Sequence, residues 1–189
     1  MKPQPADNPA DGLYPLETPL RALPSPTRLV VLGATGSIGR QTLDLVAQHP
    51  DRLEVAAVTC HRRLDALCGL LDELERRQPD VPAPLVAVTD PDAHRRAARQ
   101  RRLKDRLLPA GDAGLRAAVT APADVHCVVN GLVGAAGLVP TLAAAERGLR
   151  IALANKESLV VGGALVQKAA ALSGAEILPV DSEHAAIAQ

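Results

Sequence analysis

Short aliphatic runs alternate along most of the chain with longer stretches in which apolar residues return every three or four positions. The first run, Leu29-Val30-Val31-Leu32, ends in glycine, and the residues after it place Ile38, Leu43, Leu45 and Val46 at helical spacing. An unbroken aliphatic run of this length predicts a strand buried on both faces, and the helical period predicts an element packed against it. The same pattern predicts further strands near 53–59, 85–88, 125–130, 150–154 and 176–180, with helices over roughly 64–77, 92–107, 138–147 and 157–173. Parallel strands need a long crossover, usually a helix. Regular alternation therefore predicts a Rossmann-like α/β fold: a doubly wound, mostly parallel sheet with helices on both faces.

Residues 1–27 break this pattern. Pro3, Pro5, Pro9, Pro15, Pro19, Pro24 and Pro26 lie there without any apolar period, which predicts a flexible tail. Its acidic residues, Asp7, Asp11 and Glu17, are unlike a transit peptide, and it lacks the apolar core of a secretory signal. A cytoplasmic location is the expectation that follows. With no Phe or Trp and only Tyr14 among aromatics, the core must be packed from aliphatic side chains.

Charge narrows the choice of partners. Lys and Arg balance Asp and Glu to a formal net charge of zero, removing the long-range attraction a polyanion needs, so no nucleic-acid partner is expected. The arginine-rich stretch from Asp92 to Leu108 is accordingly expected to be a solvated outer face. Cys60, Cys68 and Cys127 show no CxxC spacing and read as reduced thiols. Charges, Gly or Pro interrupt every apolar run before the roughly 18 to 20 residues of a membrane span, so no membrane partner is expected either.

Four segments carry candidate chemistry. Gly33-Ala34-Thr35-Gly36-Ser37-Ile38-Gly39 stands where a strand must turn into a helix, so its backbone can approach a pyrophosphate at the helix N-terminus. Close helix-strand packing would require the same glycines. After the second strand, Thr59-Cys60-His61-Arg62-Arg63 offers no ribose-binding carboxylate but two guanidinium groups, which favours NADPH over NADH. The same arginines would also serve as the start of an exposed helix. Asn155-Lys156-Glu157 follows a strand and would put Lys156 into the crevice at the carboxyl end of the sheet, or else form a solvated loop. In Asp181-Ser182-Glu183-His184, extended backbone would turn both carboxylates to one side as hard oxygen ligands, suited to Mg²⁺ or Mn²⁺. His184, without a second His or Cys at zinc spacing, reads as a structural histidine.

Taken in order, GATGSIG, NGLVGAAGL at 130–138, ALANKESLV at 152–160 and LPVDSEHAAIAQ at 178–189 resemble the 1-deoxy-D-xylulose 5-phosphate reductoisomerase family. The resemblance implies an NADPH-dependent oxidoreductase and isomerase of non-mevalonate isoprenoid biosynthesis, converting its phosphosugar substrate to 2-C-methyl-D-erythritol 4-phosphate. It implies that Thr35, Gly36, Ser37 and Ile38 hold the cofactor pyrophosphate, and that Arg62 and Arg63 grip the adenosine phosphate. Asn155 and Glu157 would also touch the cofactor. Lys156 and Glu183 would act on the substrate, Ser182 would bind it, and Asp181 with Glu183 would ligate the Mg²⁺ or Mn²⁺.

The resemblance also divides the chain into a tail at 1–27, an NADPH-binding domain at 28–175 and the start of a catalytic domain at 176–189. The rest of that domain and a helical C-terminal domain are expected to be missing. Two departures from the family pattern stand out: Cys60-His61 replaces a glycine turn, and Ala188 replaces an aromatic residue. A homodimer or a complementing C-terminal polypeptide is the expected protein partner. The competing reading is a cofactor-binding module that holds NADPH without turnover.

Overall fold

A computed structural model describes residues 20–180. Six strands form one sheet, β1 (Thr27–Leu32), β2 (Leu53–Cys60), β3 (Leu85–Val88), β4 (Cys127–Asn130), β5 (Arg150–Leu153) and β6 (Glu176–Pro179). Their order across the sheet is β3-β2-β1-β4-β5-β6, and every neighbouring pair is parallel. The helices are α1 (Ser37–Gln48), α2 (Leu64–Arg77), α3 (Pro91–Ala98), α4 (Arg101–Lys104), α5 (Gly111–Thr120), α6 (Leu138–Glu146) and α7 (Lys156–Ser173), with a 3-10 turn at Gly134–Gly137.

Strand alternation splits the core into two layers. In β1, Leu29 and Val31 face the layer built with Leu43 and Val46 of α1 and Leu64, Leu67, Leu71 and Leu74 of α2. Val30 and Leu32 face the other layer, where Ala118, Val119, Ala143, Ala144 and Ala145 of α5 and α6 meet the sheet. The leucines of α2 recur at intervals of three and four, so all four fall on one stripe. Burying each contributes about 1.5–3 kcal/mol relative to exposure. The alanines on the opposite side let backbone approach backbone, which is how a core without Phe or Trp closes its gaps.

Three local findings differ from the periodicity. The helix expected over 92–107 is interrupted at Arg99-Gln100, because the chain must return to the sheet: Val86 donates its N–H to Arg106 O at 2.8 Å, and Leu108 N donates to Val86 O at 2.8 Å. Residues 106–108 thereby cover the outer edge of β3. Helix α5 lies in a stretch where the periodicity predicts no element; a Cβ at position 114 would lie 2.0 Å from Pro109 O, so glycine there is what the bend into the helix demands. Leu45, expected on the buried face of α1, is 53% exposed, because the stripe there is only as wide as Leu43 and Val46.

Two arginines of the 101–106 stretch, Arg102 and Arg106, are held within the chain. Arg102 pairs with Asp72 and Glu75 of α2, and Arg106 lies 2.7 Å from Glu75. At the start of the sheet, residues 1–19 lie outside the described residues, but the segment from Leu20 is already anchored. Arg21 donates its backbone N–H to Glu176 at 2.6 Å and its guanidinium to Gly148 O at 3.1 Å, while Leu23 packs against the core. Glu176 in turn accepts from Arg150 at 2.9 Å. Strand β6 pairs with β5 as the sixth strand of this sheet.

Candidate functional site

The strand order reverses at β1, where the chain crosses to β4 on the other side, and the carboxyl ends of these two strands open a crevice between outgoing loops. The loop leaving β1 turns at Gly33, which has φ +76°; a Cβ there would lie 2.9 Å from Gly131 O at the end of β4. Gly39 lies so close beneath the loop that its own Cβ would come within 2.4 Å of Gly33 O. The two glycines let helix α1 and the loop from β4 close on the same turn. Gly131 in turn meets Ile38, whose Cβ would lie 3.1 Å from any Cβ added at position 131.

Thr59, buried at the end of β2, fastens this loop twice. Its hydroxyl accepts the Gly33 N–H at 2.9 Å and its carbonyl accepts the Ala34 N–H at 2.8 Å. Gly36 then leads into α1 with extended backbone, no side-chain cap and no acidic residue in the first turn. Gly36 and Ser37 are exposed, Ile38 half-buried and Thr35 buried. The free N–H groups and partial positive charge of the α1 N-terminus are thus presented at the crevice with nothing from the helix's own first turn to neutralise them.

The loop leaving β2 brings His61, Arg62 and Arg63 beside it. Arg62 is ion-paired through Nε to Asp90 at 2.9 Å, and His61 Nδ1 lies 2.9 Å from the Thr89 hydroxyl. Asp90 also caps α3, accepting the Ala93 N–H at 3.0 Å. That backbone bond, seconded by Arg62, holds its carboxyl below the usual aspartate range. Arg63 turns the other way and donates to Thr35 O at 3.4 Å. The same oxygen accepts from Arg40 Nε at 3.2 Å. Arg40, Thr59 and Asp90 were not singled out from sequence; the only available signal was an arginine directly after the third glycine and an acidic residue at the end of the third strand.

At the ends of β4 and β5 two buried amides organise the remaining loops. Asn130 Nδ2 donates to Gly137 O at 3.1 Å and to the Thr141 hydroxyl at 2.8 Å, while its Oδ1 accepts the Leu132 N–H at 3.1 Å. Asn155 caps α7 by accepting the Ser158 N–H at 2.9 Å and donates to Leu132 O and Gly134 O, each at 2.9 Å. Its amide is therefore engaged inside the chain, and it ties the 131–137 loop to the first turn of α7. Lys156 opens that helix and Glu157 follows it, with Glu157 Oε2 3.4 Å from Asn155 Nδ2. Val180 donates to Leu153 O at 3.0 Å, so the chain leaves the sheet beside the turn that carries Lys156. Asp181, Ser182, Glu183 and His184 lie outside the described residues. Among the described residues no group of three or more His, Cys, Asp or Glu could hold a metal ion.

The cysteines are free, and burial pushes the Cys60 thiol up to about 12 and the Cys127 thiol up to about 11. Neither is a nucleophile near neutral pH.

Comparison with known proteins follows the same stretch of chain. A family model described as 1-deoxy-D-xylulose 5-phosphate reductoisomerase matches residues 29–163. The reductoisomerase of that name from Laribacter hongkongensis is 46% identical over 162 residues, covering 86% of this chain and 40% of its own length. The one from Thermosynechococcus vestitus is 45% identical over 163 residues, covering 85% and 38%. Among solved structures, a DOX-P reductoisomerase in complex with NADPH, fosmidomycin and magnesium superposes with a TM-score of 0.71 at 44% identity, covering 84% of this chain and 37% of that one. The Zymomonas mobilis enzyme in complex with NADPH gives 0.69 at 36% identity, covering 86% and 40%. The chain thus spans about 40% of the length of the relatives it matches.

Proposed function

The chain belongs to the 1-deoxy-D-xylulose 5-phosphate reductoisomerase family, and from that premise we propose that it provides the NADPH-binding part of an enzyme that converts this phosphosugar to 2-C-methyl-D-erythritol 4-phosphate. The observation that carries the proposal is the glycine turn at the β1–β4 crevice. It brings an unneutralised helix N-terminus and a backbone without Cβ atoms to the point where a dinucleotide pyrophosphate would lie. Bound there, NADPH supplies the hydride for the reduction.

The chain's own residues divide the remaining work. Thr35, Gly36, Ser37 and Ile38 present backbone to the pyrophosphate, and Arg62 and Arg63 lie on the adenosine side. Asn155, whose amide ties the 131–137 loop to the first turn of α7, would touch the cofactor from there. Glu157 stands in that helix turn on the cofactor side, and Lys156, the first residue of the helix, would supply an ammonium to stabilise negative charge developing on the substrate oxygens. Asp181 and Glu183 fit a hard divalent cation such as Mg²⁺ or Mn²⁺ by donor type, with Ser182 and Glu183 binding the substrate. We place the protein in the cytoplasm, in keeping with its free thiols, and among its described helices none is long and apolar enough to cross a membrane.

Titrating the 189-residue chain with NADPH and NADH, followed by NADPH fluorescence, tests the binding half. Tighter NADPH binding is expected. Substrate-dependent NADPH oxidation with Mg²⁺ or Mn²⁺ tests the rest, and turnover is expected only when a polypeptide carrying the remaining length of the relatives is supplied. Equal or tighter binding of NADH overturns the cofactor assignment; turnover by this chain alone overturns the need for a complementing partner.

A further inference from the structure

Two guanidinium groups from different elements converge on one carbonyl of the glycine turn. Arg40 reaches back from the first turn of α1, and Arg63 reaches across from the start of α2, so that both donate to Thr35 O at 3.2 and 3.4 Å. A carbonyl can accept two donors, yet it carries no charge to offset two cations. Among the described residues neither Arg40 nor Arg63 forms an ion pair; Arg21, Arg52, Arg96, Arg99, Arg101 and Arg147 form none either, and what sets Arg40 and Arg63 apart is that they meet on one acceptor. Arg62, the immediate neighbour, already has its charge matched by Asp90.

We propose that Arg40 and Arg63 form a clamp for the ribose 2′-phosphate of NADPH, and that Arg40 is a specificity-determining residue of this chain. The proposal rests on the NADPH reading above. In this fold the adenosine ribose lies over the carboxyl end of the second strand, where the residue after that strand selects for or against a phosphate. Arg63 stands at the end of the loop that follows that strand, and the shared acceptor brings Arg40 to it from α1. A phosphate set between them would bring close to two negative charges and receive charge-assisted hydrogen bonds from both planar groups. Arg62 contributes less, since Asp90 competes with the phosphate for the same guanidinium. The selecting pair is thus one arginine from the β2–α2 loop and one from α1, rather than the two adjacent in sequence.

The test compares the full chain with Arg40→Gln, Arg63→Gln, Arg62→Gln and Arg40→Lys, each titrated with NADPH and with NADH after thermal melting has established that it is folded. Arg40→Gln and Arg63→Gln are each expected to weaken NADPH binding by about tenfold or more while NADH changes by less than about twofold. Arg62→Gln should change the preference by less than about threefold, and Arg40→Lys should restore part of it. An Arg40→Gln chain whose ratio of NADPH to NADH affinity is unchanged overturns the clamp, including the case in which both affinities fall together because the loop has loosened. An Arg62→Gln effect equal to that of Arg63→Gln also overturns it. Wild-type chain that binds both nucleotides equally removes the 2′-phosphate site but leaves the dinucleotide reading intact, whereas wild-type chain that binds neither removes both.

Discussion

At the scale of single residues, the contrast between Arg62 and Arg63 shows why adjacent identical side chains need not act alike. One is 75% exposed and matched by a carboxylate, the other leans onto the glycine turn with no counter-charge. Nothing in the order of letters separates them. The sequence does reveal that the turn needs glycine, because only a residue without Cβ tolerates the approach of Gly131 to Gly33; it does not reveal which side chains will share an acceptor, since Arg40 and Arg63 meet only after β1 and β2 have paired. The thiols give a residue-scale prediction. With Cys60 and Cys127 raised to about 12 and about 11 from an ordinary value of 9.0, both should resist alkylation at pH 8 until denaturant is added. The sign of the linked pH effect follows: a thiol raised in the folded state is ionised first in the unfolded chain, so stability is full below pH 9 and should decline as pH climbs from there. Rapid labelling of either cysteine in the native protein, read by mass spectrometry, would contradict this burial.

At the scale of elements, the strands were legible because the sheet's interior requires aliphatic residues, and β1 through β6 all fall within the stretches predicted from such runs. The helices were legible where an apolar period survives. Helix α2 announces itself with four leucines, while α5 hides behind two glycines and a proline whose local preference is overridden by the contact of Leu115, Ala118 and Val119 with the sheet. A difference in stripe width predicts opposite mutational outcomes. Leu67→Ala, at a site with no exposed surface, should cost about 2–5 kcal/mol in urea unfolding, and Leu45→Ala on the open side of α1 should stay within about 0.5 kcal/mol. Around the candidate site, the glycine turn between β1 and α1 was readable, and so was a polar cluster following β5, though not its place as the capped start of α7. The internal engagement of Asn155 was not legible either, since it depends on the 131–137 loop folding back to meet it.

At the scale of the whole molecule, ion pairing closes the sheet at its amino rim. Arg21, Arg150 and Glu176 join the segment before β1 to the starts of β5 and β6. Burial works to raise the Glu176 carboxyl, but the Arg21 backbone N–H and the Arg150 guanidinium outweigh it and hold the group below its ordinary range. A lowered folded-state value means that its contribution is present above the ordinary glutamate range and is lost as pH falls through the folded-state value. Glu176→Gln should therefore lower the melting temperature at neutral pH and make the acid limb of stability against pH shallower; an unchanged acid limb would show that the network contributes nothing. The outer face of α7 is different in kind: Val160, Val161, Leu165 and Leu172 are exposed on it, and Leu165 and Leu172 line a groove of about 470 Å³ shared with α6.

The latch at Arg21 also sets the direction in which the chain can be handled. It fastens the start of the described chain to the rim opposite the glycine turn, while Val180 leaves from the rim that carries it. A tag or surface tether attached ahead of residue 20 would consequently hold the molecule with its crevice facing outward, giving an immobilised nucleotide sensor whose binding face stays open to solution.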